Sequence, residues 1–152
     1  SSLTGSASQN GFNNIAEITM TGAGGTAGLL QDNSYSPAHG NSAVIALSAG
    51  ALGLVAQLGD NNSADLQVSG LDALGGIVQA GSDNTGKLEV TGTKVSGTMV
   101  QNGDNNNTGL AVSGTSGSSV SYTLNGSGGT AVSTPTVFTT GGATITITQT
   151  VP

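Results

Sequence analysis

Apolar and polar residues alternate with a period of two in short stretches of this chain, and the stretches recur. In "NSADLQVSG", Asn62, Ala64, Leu66 and Val68 share one face of an extended strand, while Ser63, Asp65, Gln67 and Ser69 share the other. In "ALGGIVQ", Ala73, Gly75, Ile77 and Gln79 fall on one face, and the following copy gives Val95, Gly97, Met99 and Gln101. This period predicts strands and no helix. It also puts glutamine on the apolar side, where a side-chain amide needs a hydrogen-bond partner.

The recurrence is regular enough to count. Gln57, Gln79 and Gln101 stand 22 residues apart, each followed two positions later by Gly59, Gly81 or Gly103 and five positions later by Asn62, Asn84 or Asn106. Leu66, Leu88 and Leu110, then Val68, Val90 and Val112, then Gly70, Gly92 and Gly114 complete the shared columns. The N-terminal "QNGFNNIAEITMTG" fits them with Gln9, Gly11, Asn14, Ile18, Met20 and Gly22. Gln31 follows Gln9 by 22 residues, but Gln57 follows Gln31 by 26, which places a longer first turn around Pro37 and His39. Thr123 occupies the column where the sixth glutamine is expected, and Gln149 restores it in "ATITITQ".

Each unit therefore reads as a first arm ending in Gln, an "xGxxN" turn, a second arm, and a Ser-Gly or Thr-Gly turn. Two short strands cannot bury their faces alone, whereas stacked copies can. The expected fold is all-β: a β-solenoid of two-strand β-arch rungs, with about six repeats of 22–26 residues. Residues 1–122 carry repeats one to five, and residues 123–152 a degenerate sixth repeat and a terminal strand of the same domain. In such a stack, amides repeat from rung to rung and can bond to their own copies. The expected ladder comprises Gln9, Gln31, Gln57, Gln79, Gln101 and Gln149, with Asn14, Asn62, Asn84 and Asn106 beside it.

The string Gln-x-Gly-x-x-Asn-x-Ala-x-Leu-x-Val, as in "QLGDNNSADLQV", resembles the curlin repeat of curli fibre subunits, the secreted functional amyloids of bacterial biofilms. The match covers residues 9 to 22 and 57 to 114, and the tail joins it only through "TITITQ". The resemblance implies a β-solenoid subunit that polymerises end to end into extracellular fibres after export. This chain departs from the pattern in its second arms, which end mostly in Gly rather than a second Gln, in its long turn after Gln31, and in its Thr/Gly-rich tail.

Two surfaces are expected to matter for such a subunit. The outer strands, with Leu3 and Ala7 in one and Ile145, Ile147 and Gln149 in the other, are candidates for axial assembly through unpaired backbone groups. The residues before each ladder position, Leu30, Ala56, Val78, Val100 and Tyr122, are expected to face outward as an apolar stripe for lateral contact.

Composition removes several other classes. The formal charge is −6 with only Lys87 and Lys94 as basic residues, so nucleic acid and anionic membranes are unfavourable partners. The start "SSLTGSASQ" lacks a basic and apolar signal region and no long apolar run occurs, so the expected chain is soluble or already processed, without membrane insertion. One histidine, His39, and no cysteine give no triad and no zinc set, so neither an enzyme nor a cofactor is expected. Asp60, Asp83 and Asp104 lie in the first turns, where solvated turn carboxylates are favoured over a calcium site because their register shifts.

The expected function is a structural subunit of a curli-like fibre, located extracellularly, at the cell surface or in a biofilm matrix, whose partner is itself. The alternative is a secreted monomeric solenoid binding module, ice-binding or adhesive, built on outward threonines. Asp65, Gln67, Lys87 and Glu89, taken as the equivalent outward positions elsewhere, are not threonine and count against a continuous row.

Overall fold

The computed structural model describes residues 2–34, 39–114, 117–128 and 135–152; Pro37 lies outside them. The alternating stretches form β1 (Thr4–Asn10), β2 (Ile15–Met20), β3 (Thr26–Asp32), β4 (Ser42–Leu47), β5 (Leu52–Leu58), β6 (Ser63–Val68) and β7 (Leu74–Ala80). They continue as β8 (Thr85–Thr91), β9 (Ser96–Asn102), β10 (Asn107–Gly114), β11 (Ser119–Asn125), β12 (Thr136–Thr139) and β13 (Thr144–Thr150). No helix occurs among the described residues.

First arms pair only with first arms and second arms with second arms. The odd strands make a seven-stranded sheet in the order β1-β3-β5-β7-β9-β11-β13, and the even strands make a six-stranded sheet, β12-β10-β8-β6-β4-β2. Every pairing is parallel and in register, so Gln57 lies between Gln31 and Gln79, and Leu66 between Ile45 and Leu88. The protein is a β-solenoid of six two-strand rungs, with β13 beginning a seventh layer.

The interior between the sheets is thin, and opposing side chains divide it by size. Gly75 faces Val68 and Leu66, and Gly97 faces Val90 and Leu88, so closely that a Cβ on either glycine would meet these side chains. Small residues on the first arm thus make room for Leu66, Leu88, Val68 and Val90, all fully buried. Each such aliphatic side chain contributes about 1.5–3 kcal/mol through removal from water.

Corners fix the rise. At the first turn Gly59 and Gly81 adopt φ of 109° and 119°, and the next residues but one, Asn61 and Asp83, sit at 52° and 58°. A Cβ on Gly59 would run into the Gly81 carbonyl oxygen, and one on Gly81 into that of Gly103. The glycine column is therefore required twice, by conformation and by the close approach of successive rungs. The same corner tolerates the longer second unit, because β3 and β5 still align Gln31 with Gln57 across 26 residues.

The sixth rung departs from the sequence expectation by one residue. Leu124, not Thr123, pairs with Gln101 and with Gln149, and Tyr122 pairs with Met99. The extra residue enters between β10, where Ser113 still pairs with Thr91, and β11, where Ser119 pairs with Ser96. Tyr122 consequently points inward at 1% exposure, which removes it from the outward stripe.

Gly81→Ala should destabilise the chain by about 3 kcal/mol or more, because strain and a backbone clash coincide there. Gly76→Ala is the control: it lies in β7, where the nearest atom to a new Cβ is Thr98 Cγ2 at 3.9 Å. There the effect should be neutral or about 0.5 kcal/mol stabilising. Urea unfolding of both variants measures the difference.

Candidate functional site: amide ladders and sheet edges

The glutamines end the inner face of the first arms, where the strand enters its turn. Gln9 Nε2 donates to Gln31 Oε1 at 2.6 Å, Gln31 to Gln57 at 2.8 Å, Gln57 to Gln79 at 2.9 Å and Gln79 to Gln101 at 2.7 Å. Each amide also spans the interior: Gln57 Nε2 donates to Ser42 O, Gln79 to Ser63 O and Gln101 to Thr85 O, all at 2.9 Å. One side chain thus joins its rung to the next and the first sheet to the second. Gln31, Gln57, Gln79 and Gln101 are all 0% exposed, so these bonds form out of water.

A second ladder stands beside the first and runs the other way. Asn62 Nδ2 donates back to Asn41 Oδ1 at 3.1 Å and Asn84 Nδ2 back to Asn62 Oδ1 at 3.0 Å. Their second protons go forward, to Gly81 O at 2.8 Å and Gly103 O at 2.7 Å. Asn106 continues the column through its backbone N–H to Asn84 Oδ1 at 3.1 Å, and Asn14 begins it by accepting from Asn41 N at 2.9 Å. Opposed amide directions in neighbouring ladders offset each other's dipoles along the axis.

Two members escaped the sequence columns. Asn41 holds the asparagine position of the stretched unit, and Asn33, 1% exposed, occupies the corner opposite Gly11. Asn33 Nδ2 donates to Phe12 O at 2.7 Å and to His39 O at 2.8 Å, closing the long turn. Counting backward from the second arm would have found Asn41, since each column asparagine immediately precedes a second strand.

The glutamine ladder is interrupted at Leu124, and the structure repairs it with a phenol. Tyr122 Oη donates to Gln149 Oε1 at 2.7 Å. Among the described residues no buried side-chain nitrogen or oxygen lacks a partner.

Outside the ladders, the odd-strand sheet presents a banded outer face. Leu30, Leu54, Ala56, Leu74 and Val78 surround a shallow groove of about 490 Å³ floored by Gly28 and Gly76. Val100 lies beside Val78, but the next position is Thr123. Toward β13 the face turns hydroxylated: Thr144, Thr146 and Thr148 pair with Ser119, Ser121 and Thr123, which pair with Ser96, Thr98 and Val100. The threonine row of the terminal strand therefore continues as a mixed serine and threonine surface rather than as a row of threonines. Asp65, Gln67, Lys87 and Glu89 belong to the other sheet and are not its continuation. There Lys87 and Asp65 form an exposed pair at 3.8 Å, worth under about 1 kcal/mol.

Turn carboxylates serve the turns. Asp83 Oδ1 accepts from Asn61 Nδ2 at 2.6 Å, and Asp104 Oδ1 from Ser82 N at 2.7 Å. The Ser34 backbone N–H holds the Asp32 carboxyl below its usual range, helped by the Ser34 and Asn10 side chains. Its lowered value means that this small contribution is present above the ordinary carboxylate pKa and is lost as pH falls through the folded value. Among the described residues no three His, Cys, Asp or Glu side chains converge on a metal site.

Both ends of the stack are sheet edges. β1 and β13 bound one sheet and β2 and β12 the other. Leu3 is 44% exposed and all of β1, Ala7 included, is exposed; Ile145, Ile147 and Gln149 in β13 are half-buried over β11. No known family, characterised protein or solved structure matches this chain.

Gln79→Ala should cost about 2–4 kcal/mol, because it opens a cavity and strands the Gln57 donor and the Gln101 acceptor. Gln9→Ala, at the exposed edge, should cost under about 1 kcal/mol. Similar losses at the two sites, read from denaturant midpoints, would contradict the ladder's role.

Proposed function

We propose that this chain is a structural subunit of a curli-like extracellular fibre, a cell-surface or biofilm-matrix component that grows by head-to-tail addition of copies. The observation that carries the reading is the polarity of the glutamine ladder. From Gln9 to Gln79 each Nε2 donates toward β13, so the β1 end offers the Gln9 Oε1 acceptor, while Gln149 has its Oε1 filled by Tyr122 and offers Nε2. A donor end and an acceptor end are complementary in one orientation only. The curlin-like columns, the parallel edges and the acidic, lysine-poor composition support the same reading.

The strand count shapes the contact. Seven strands in one sheet against six in the other make β13 half a rung. Pairing β13 with the β1 of another copy would leave the second sheet one strand short between β12 and β2. Both sheets close if β13 takes the place that β1 holds on β3. Ile145, Ile147 and Gln149 then lie beside Ala27, Leu29 and Gln31, while β2 comes beside β12. The exchange replaces Gly5 and Ala7 on the inner face by two isoleucines. Leu3, Ala7 and Gln9 then belong to the displaced strand rather than to the contact, and the acceptor that Gln149 Nε2 meets is Gln31 Oε1, which Gln9 fills in the single chain. Lateral association falls to the apolar band around Leu30, Leu54, Val78 and Val100, which fibre growth repeats once per copy.

A cysteine-free chain makes the test direct. Thr148→Cys with Leu30→Cys should form intermolecular disulfides in assembled material, because in-register parallel neighbours meet the Cα separation a disulfide needs. Cross-linking of Thr148→Cys with Ser8→Cys instead would replace strand exchange by simple stacking. A chain that stays monomeric under electron microscopy through prolonged incubation overturns the fibre reading altogether. Removing residues 143–152 should cripple growth. Val78→Lys with Val100→Lys should leave single filaments and loosen bundles.

A second reading rests on the hydroxylated region formed by β9, β11 and β13, an in-register array of serine and threonine suited to ordering water. It makes the chain a secreted monomeric binding module of the ice-binding kind. Thermal hysteresis in the monomer would favour it.

A further inference from the structure

Three asparagines precede glycine: Asn10, Asn102 and Asn125, before Gly11, Gly103 and Gly126. All stand at the same corner, and the three glycines share positive φ, at 96°, 117° and 114°. Such pairs are labile because the glycine nitrogen, unshielded by a side chain, can attack the asparagine Cγ. A C–N bond forms, the backbone proton passes to the departing amide nitrogen, and ammonia leaves a succinimide. Water then opens one of the two imide C–N bonds and yields aspartate or isoaspartate.

The fold treats the three sites unequally. Gly103 N–H donates to Ala80 O at 2.9 Å and Gly126 N–H to Asn102 O at 3.0 Å, so each nitrogen must leave a rung contact before it can attack. Asn102 Nδ2 also donates to Asn125 Oδ1 at 2.9 Å, which ties those two side chains together. Gly11 sits at the β1 edge, where no described residue accepts from its N–H. The Asn10 carbonyl accepts from Asn14 Nδ2 at 2.8 Å and from Asn33 N at 3.1 Å, but the side-chain amide that would be attacked is tied only by a 3.4 Å bond to Asp32 Oδ1.

We infer that Asn10 is a site of spontaneous deamidation and that Asn102 and Asn125 are copies of it protected by the stack. The inference stands on the fold alone. Its product sets a new carboxylate against Asp32, and the isoaspartate form lengthens the backbone by a methylene where Asn10 pairs with Asp32. Both changes loosen β1, the strand displaced in the assembly proposed above.

Incubation of the folded 152-residue chain in mildly alkaline buffer, followed by peptide mass mapping, tests it. Asn10 should convert about tenfold or more faster than Asn102 and Asn125, since the latter two wait on local opening of interior rungs. In concentrated urea the three rates should converge, because the protecting bonds are gone. The Gln79→Ala variant, with its interior ladder broken, should raise conversion at Asn102 selectively. Equal rates in the folded chain would overturn the inference by showing no protection. The same spread persisting in urea would also overturn it, by tracing the difference to neighbouring sequence. Neither outcome touches the fibre reading, which the cysteine pairs decide separately.

Discussion

An amide hydrogen bond passed from one rung to the next is the constraint on which this structure depends. A glutamine on an apolar inner face is destabilising by itself, since its carbonyl and amino groups lose water. It becomes favourable when its polar atoms find partners, which Gln57 and Gln79 obtain from identical side chains directly above and below. That condition forces every rung into the same register, because a slip of one residue would turn the glutamine outward and bring a surface residue in.

Other features follow from keeping that register. Rungs can stack this closely only if their corners lack side chains where successive backbones meet, which is why Gly59, Gly81 and Gly103 occupy one column. A short distance between the sheets lets Gln79 Nε2 reach both Gln101 and the Ser63 carbonyl, and the same shortness demands Gly75 and Gly97 opposite Leu66, Val68 and Val90. Hydrophobic burial and polar pairing are therefore not competing claims on the interior. They occupy different positions of one repeating cross-section, with amides near the first turn and aliphatics beyond it.

The sixth rung shows how far the rule bends. Its one-residue insertion moves Leu124 into the glutamine column and Tyr122 inward, and the phenol reaches Gln149 instead. A longer donor on a neighbouring position satisfies the amide that the ladder would otherwise leave unpaired. The stack thus tolerates variation where a hydrogen bond can be rerouted.

What the sequence determined by itself was the unit: strands from alternation, rungs from the 22-residue recurrence, and the glutamine and asparagine columns from their fixed spacing. Those features are local or periodic, and identical copies make them visible. What only the tertiary structure decided was whatever depends on register where the period breaks. Asn33 is a corner residue because it bonds Phe12 O and His39 O, and Asn41 a ladder residue because it accepts from Asn62, contacts that the 26-residue spacing hides. Tyr122 is interior rather than surface because the insertion before it changes parity. The threonines of β13 join serines of β11 because like arms pair across rungs, not along the chain. Spacing can announce a repeating contact, but where spacing fails, only the bonds between neighbouring rungs say which residue answers which.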